Sequence, residues 1–146
     1  MTVKEKIRQL QAISVDAIMD AAIIENEDAI VDANRDQLYK RGEIDVTDPS
    51  HREKYAASTI KQKRRTARFP KTDFVTLKWT GTMHDSFKLF ILKDFIAIRP
   101  TDIKWGLYIE GNDRFENAIG LTEESLKGIR DKVKTSFLKL LRYELH

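Results

Sequence analysis

A chain of 146 residues is long enough for one domain with a real core and too short for two comfortable ones, so residues 1–146 are read as a single domain. Hydrophobic residues at 41% and charged ones at 34% describe a chain with a busy water-facing surface and a net charge of only +3, and no apolar run approaches the ~20 residues that a membrane helix requires. The absence of cysteine excludes disulfides, thiol nucleophiles and thiolate metal sites together, and His51, His84 and His146 never fall at helical ligand spacing, so no metal or other cofactor is expected.

The opening MTVKEKIRQLQ has early lysines but neither the apolar stretch nor the small-residue site of a secretory leader, which predicts a protein that works where it is made. Residues 3 to about 41 carry no Pro or Gly and predict one long helix within 1–42. Ile7, Leu10, Ala17, Ala21, Ile24, Val31 and Leu38 form its buried stripe, interrupted by Ser14, Asp28 and Arg35. Gly42 supplies the stop after Lys40 and Arg41, whose charges suit the negative end of a helix. GEIDVTDPSHREK then reads as a polar loop, with turn chemistry at Asp48-Pro49-Ser50.

Residues 55–110 are predicted to hold a capped helix and a small sheet. YAASTIKQKRR forms the helix, with Ser58 or Thr59 available to cap it, and TARFPKTDF follows as a loop. From Phe74 the period changes to two, placing Val75, Leu77 and Trp79 on one face of a strand and Thr76 and Lys78 on the other. FKLFIL and FIAIRP are β-rich runs on either side of Lys93-Asp94, the pattern of an antiparallel hairpin whose loop lacks the glycine of the tightest turns. Because Leu89, Phe90, Ile91 and Leu92 are apolar on both faces, one side is expected to meet the core and the other a helix or another subunit. IKWGLYIEG is a further strand or short helix. Thr122 caps a closing helix over 122–143, with Glu123 and Glu124 in its first turn and Leu126, Ile129, Val133, Phe137, Leu140 and Leu141 on its buried face. The expected class is α+β: a long N-terminal helix, a small antiparallel sheet with a hairpin, and a C-terminal helix.

His84-Asp85-Ser86 offers the ingredients of a nucleophilic triad, and its adjacency argues against one. Successive side chains diverge by about 100° on a helix and point to opposite faces of a strand, so these three cannot converge. The competing reading is a cap: Thr80 at the N-cap, Gly81 relieving the backbone, and Met83 and Phe87 on the buried side. No catalytic residue is assigned, and the chain is not read as an enzyme.

KQKRRTARFPK is the stronger signal. Lys61, Lys63, Arg64, Arg65, Arg68 and Lys71 could neutralise phosphates while Phe69 stacks on a base, or could dock on an acidic protein surface. No helix-turn-helix, RNA-recognition or finger pattern accompanies them, so nucleic acid is a possible partner and not the favoured one. Gly120-Leu121-Thr122 lacks the glycine spacing of a phosphate cradle. Phe90 on the hairpin, with Trp105 and Tyr108, is assigned to an assembly surface, and Trp79 and Phe115 are core or interface anchors. Charge is segregated as well: residues 1–50 hold 6 cations against 11 acids, and residues 51–104 hold 13 against 5. Opposite faces of that kind can register copies of one chain or different partners.

Several stretches, read in order, resemble the virion-morphogenesis, or tail-completion, family of tailed bacteriophages. YAASTIKQK is similar to that family's aromatic residue followed by a P-L-S-x-x-T segment with trailing lysines. LKWTGTMHDSF is similar to its L-x-x-T-G-x-L-x-x-S element, with Thr80, Gly81, Met83 and Ser86 in the matching places. ENAIGLTEES resembles its R-P-F-L-G-L-S ending, with Gly120 and Thr122 matching and Asn117-Ala118 standing where the family has Arg-Pro. The likeness covers about residues 55–143. It implies a non-enzymatic structural protein that closes or joins head and tail, assembling as a ring with copies of itself and with other head-tail or tail proteins. Such a protein would be present in the bacterial cytoplasm during assembly and then in the virion.

Overall fold

The computed structural model describes residues 1–146, and its elements are the helices and small antiparallel sheet of an α+β chain. The first forty residues are helical but are not one helix. Helix α1 (Val3–Ala12) begins with a reciprocal cap in which the Glu5 amide donates to Thr2 Oγ1 at 3.2 Å and the Thr2 amide to Glu5 Oε2 at 2.6 Å. The chain turns extended at Ile13, and Ser14 Oγ accepts the Ala17 amide at 3.2 Å to start α2 (Val15–Glu25). A second break at Asn26 leads into α3 (Glu27–Asp36), and a π-helical turn (Gln37–Arg41) ends at Gly42, which takes the left-handed conformation with φ 63°.

Ser14 is the physical reason the single helix fails, because its hydroxyl satisfies a helix-start amide better than it serves a helix interior. The break re-phases the buried face. Val31 and Leu38 are buried as the stripe predicts, whereas Ile7, Leu10, Ala17, Ala21 and Ile24 are exposed, and Ile18, Ala22 and Ile30 take the inner positions.

The C-terminal helix α6 (Glu123–Glu144) has the predicted Thr122 cap and runs antiparallel to this trio. Lys6 and Gln9 donate to the carbonyls of Leu145 and Glu144, Asn26 donates to Ser136 Oγ at 2.8 Å, and Lys139 pairs with Glu25 at 2.7 Å. No helix is long and apolar enough to cross a membrane.

Helix α4 (Ala57–Thr66) starts two or three residues early for the predicted caps: Ala56 holds the N-cap position with no side-chain bond, and Ser58 and Thr59 lie inside the first turn. The strand expected from Phe74 does not form. Val75 and Thr76 are both buried, which a period of two forbids, and Leu77 sits at φ 54°. Thr76 is drawn inward by Tyr55 and Lys63, so a polar network overrides the alternation.

The one-turn helix α5 (Thr82–Asp85) follows with Gly81, not Thr80, at its N-cap. Gly81 has φ 93°, and a Cβ there would come within 2.8 Å of the Phe69 ring, so the position demands glycine twice over. Strands β1 (Phe87–Ile91) and β2 (Ile96–Pro100) then form a two-stranded antiparallel hairpin with Phe87 opposite Pro100 and Phe90 opposite Ala97. Its loop is four residues, closed by the Leu92 amide on the Phe95 carbonyl at 2.8 Å. The stretch after the hairpin is helical: a π-helical turn (Trp105–Ile109) and a 3-10 turn (Asp113–Phe115).

The core lies where α3, the hairpin's inner face and these turns meet, and is built from Val31, Leu38, Ile44, Val75, Met83, Phe87, Phe115 and Ala118. Burying a side chain the size of Leu38 or Phe87 contributes about 1.5–3 kcal/mol. Two buried polar residues pin the loop before α6 to this core. Asn34 Oδ1 accepts the Gly120 amide at 3.1 Å, while Gln37 donates to the Gly120 carbonyl at 2.9 Å and accepts the Thr122 amide at 3.0 Å.

Candidate functional site

The hairpin sorts its residues by face. Phe87, Leu89 and Ile98 point to the core, while Phe90 and Leu92 share the opposite face with Ala97, and small Ala97 leaves the Phe90 ring uncovered. Phe90 is 40% exposed, Leu92 47% and Phe95 63%, and Ile103, just beyond the sheet, is 74% exposed. With Trp105 these side chains line an open groove of about 710 Å³. The expectation that β1 is covered on both faces therefore holds for one face within this chain, and the other has nothing over it. Of the two aromatic residues assigned to assembly after the hairpin, half-buried Trp105 links groove and core, whereas exposed Tyr108 belongs to the edge of a different cleft.

The basic segment divides in two. Lys61, Arg64, Arg65 and Arg68 are exposed, and none has a carboxylate within 4.0 Å. Lys63 is not a surface residue at all: its ammonium is fully buried and donates to the Lys71 carbonyl at 2.8 Å, Tyr55 Oη at 3.0 Å and Thr76 Oγ1 at 3.1 Å. Burial alone would push the Tyr55 hydroxyl pKa up, but the hydrogen bonds from Thr76 and Lys63 and the ammonium charge hold it below the ordinary phenol value.

Lys71 is half-buried, with its own ammonium 4.6 Å from the Phe74 ring and 5.4 Å from the Tyr39 ring. Phe69 is not free to stack on a base, because Lys78 lies 4.1 Å and Arg68 5.6 Å from its ring and Tyr39 meets its edge.

The stretch that carries the family resemblance is a joint. Ser86 Oγ donates to the Met83 carbonyl at 2.7 Å and accepts the amides of Thr101 and Asp102 at 3.1 and 3.0 Å, tying α5 to the far end of the hairpin. Met83 is core, and Thr80 Oγ1 meets Thr82 Oγ1 at 3.1 Å. Gly120 and Thr122 are the residues held by Asn34 and Gln37, so this second matching stretch is also a structural fastening.

His84 is 1% exposed, stacks on Phe87 with ring centroids 5.3 Å apart, and places Nε2 2.9 Å from the Thr76 carbonyl. A carbonyl can only accept, which assigns the proton to Nε2 and leaves Nδ1 a buried acceptor with no partner. Burial pushes the ring's pKa down to about 4. The bond to Thr76 opposes the shift, and the Lys78 and Arg35 charges assist it. His84 faces the core and Ser86 faces residues 101 and 102, so the two never meet as base and nucleophile. Arg35 braces the same joint, donating to the carbonyls of His84 at 2.6 Å and Asp85 at 3.3 Å. No three His, Asp or Glu side chains gather in a group that could hold a metal ion.

Leu92 and Phe95 lie on the Phe87 to Ile98 hairpin, whose surface the sequence reading assigned to contacts, but Ile103 was not singled out. The signal for the hairpin face was present in the two-sided apolar run of FKLFIL, but alternation alone does not reveal which face remains bare. No protein-family model, no curated protein and no solved structure matches the chain.

Proposed function

We propose that this chain is a non-enzymatic structural protein of the neck or tail-completion type in a phage or prophage, acting by protein–protein assembly at the head-tail junction. It would be made in the bacterial cytoplasm and carried into the virion. The observation that carries the assembly reading is the hairpin groove: Phe90, Leu92, Phe95 and Ile103 are contiguous, apolar and exposed in a chain whose own core is small. A patch of that kind marks a contact surface, because leaving it in water forgoes the transfer free energy that a partner would recover. The two-stranded sheet adds to it, since β2 has a strand on one side only. Homo-oligomerisation into a ring and docking on other head-tail proteins rest on the resemblance in residues 55–143.

The test is mass as a function of concentration. Light scattering or sedimentation of the purified chain is expected to show concentration-dependent association, which Leu92→Asp abolishes. Genes for portal, capsid and tail-tube proteins beside this one would support the head-tail assignment, and their absence would undercut it.

The exposed and unpaired Lys61, Arg64, Arg65 and Arg68 favour a second reading, a small nucleic-acid-binding module. It predicts duplex-DNA affinity falling with salt at a log-log slope of about 0.9 per phosphate contacted. A chain that stays monomeric at high concentration and shows that slope would overturn the assembly reading.

A further inference from the structure

A second cleft, of about 410 Å³, opens between residues 54–59, residues 75–83 and the turns around Tyr108 and Phe115. Its floor is apolar, formed chiefly by Val75, Leu77, Met83 and Phe115. Lys54, Lys78, Lys104 and Arg114 line it, and no Asp or Glu does. Arg114 is paired with Glu53 at 2.9 Å and the Lys78 ammonium lies over the Phe69 and Tyr39 rings, but Lys54 and Lys104 have no carboxylate within 4.0 Å. Two acids near the cleft are already engaged: Glu53 by Arg114 and His51, Asp102 by the Lys104 amide and the Thr82 hydroxyl. Leu77 is the one non-glycine residue with a positive φ, and strain of that kind tends to gather at ligand clamps.

Cations set over a low-dielectric floor focus a positive potential into the cleft, and an occupant must answer both the charge and the apolar surface. Val75, Leu77 and Met83 give most of the floor an aliphatic surface, which suits an apolar peptide side chain better than the flat face of a base. A nucleic-acid strand is the competing occupant that the test includes. We propose that the cleft is a docking site for an acidic peptide segment of a partner protein. The segment seats an aliphatic or aromatic side chain on Val75, Met83 and Phe115 and sets carboxylates against Lys54 and Lys104. This goes beyond the assembly reading and does not rest on it, since the hairpin groove shares none of these residues.

Fluorescence anisotropy of the full chain tests it with three probes. One is a fluorescein-labelled decapeptide of Asp and Glu around a central Leu-Phe pair, the second replaces that pair by Ser-Ser, and the third is oligothymidylate of equal charge. The Leu-Phe peptide is expected to bind saturably and at least about tenfold tighter than either control. Lys54→Glu combined with Lys104→Glu is expected to weaken it by about tenfold or more. Lys132→Glu combined with Lys134→Glu, an equal charge change at exposed α6 positions outside the cleft, is expected to have far less effect. Equal affinity for all three probes, no saturable binding of the Leu-Phe peptide, or equal losses in the two double variants would each overturn the proposal.

Discussion

Lys63 and Phe95 stand on the wrong sides of the ordinary division between polar surface and apolar interior, and they do so in opposite ways. The Lys63 ammonium is wholly out of water and has three oxygens around it from Tyr55, Lys71 and Thr76. Phe95 is 63% exposed, beside Phe90 and Leu92, with nothing of this chain over it. A buried polar group whose hydrogen bonds close within the chain is a fastening, and its purpose is met by folding. An exposed apolar group has no such closure inside the molecule, and on the assembly proposal its complement lies in something that binds it. The same contrast separates Gln37 and Asn34, which hold the loop before α6, from Ile103, which holds nothing.

The largest expected effect breaks the first half of that contrast. Lys63→Met keeps the length of the side chain and removes its three donors, stranding the Lys71 carbonyl while the Tyr55 and Thr76 oxygens keep each other and the amides of Thr76 and Lys78; urea denaturation should show a loss of about 3 kcal/mol. Lys61→Met, on the exposed side of the same helix, should stay within about 0.5 kcal/mol of the parent. Equal small effects at both positions would mean that the buried network contributes nothing to stability.

Next, and close in size, is His84. Its pKa is about 4 when folded and 6.5 when free, so between those values the unfolded chain binds more protons and stability rises with pH. Acidifying from pH 6.5 to 4 should remove roughly 3 kcal/mol, with most of the fall following the histidine rather than the carboxylates. Glu53 and Asp45 are held below their ordinary carboxylate values, Glu53 mainly by its bond from Arg114 and Asp45 mainly by the Thr47 hydroxyl, so their contributions fade only at lower pH. His84→Gln, which can still donate to the Thr76 carbonyl, should flatten the stability profile between pH 6.5 and 5; an unchanged slope would remove His84 as its cause.

Local chemistry was legible in the sequence where it acted alone. Thr122 caps α6, the β-rich runs flanking Lys93-Asp94 pair as a hairpin, and Gly42 stops the first helical region. The Thr2 and Glu5 capping box and the Ser14 cap were equally local, and Ser14 showed in the helical reading as no more than a gap in a stripe. What could not be read is what long-range contacts decide. Thr76 faces inward because Lys63, thirteen residues earlier, needs an acceptor, and that single requirement defeats the predicted strand and withdraws a cation from the basic surface. The exposed apolar face of the hairpin was half legible for a related reason: period-two alternation places Phe90 and Leu92 together, but whether a third layer covers them depends on the whole chain.

The smallest expected effect on stability sharpens the second half of the contrast. Phe95→Ser removes a ring that gains little from folding, and the hairpin closure beside it is a backbone bond from Leu92 that the substitution leaves in place. Its denaturation midpoint should therefore correspond to a change within about 0.5 kcal/mol. Phe87→Ser, on the inner face, should cost about 3–5 kcal/mol because that ring is 3% exposed against the core. Self-association followed by light scattering should rank the two differently, with the Phe95 variant remaining folded and losing its concentration dependence. Phe95→Ser that unfolds the chain would place the ring in the core economy of the monomer, and a folded variant that still associates would move the contact away from the hairpin. Only loss of association at constant stability fits a side chain kept outside for a partner.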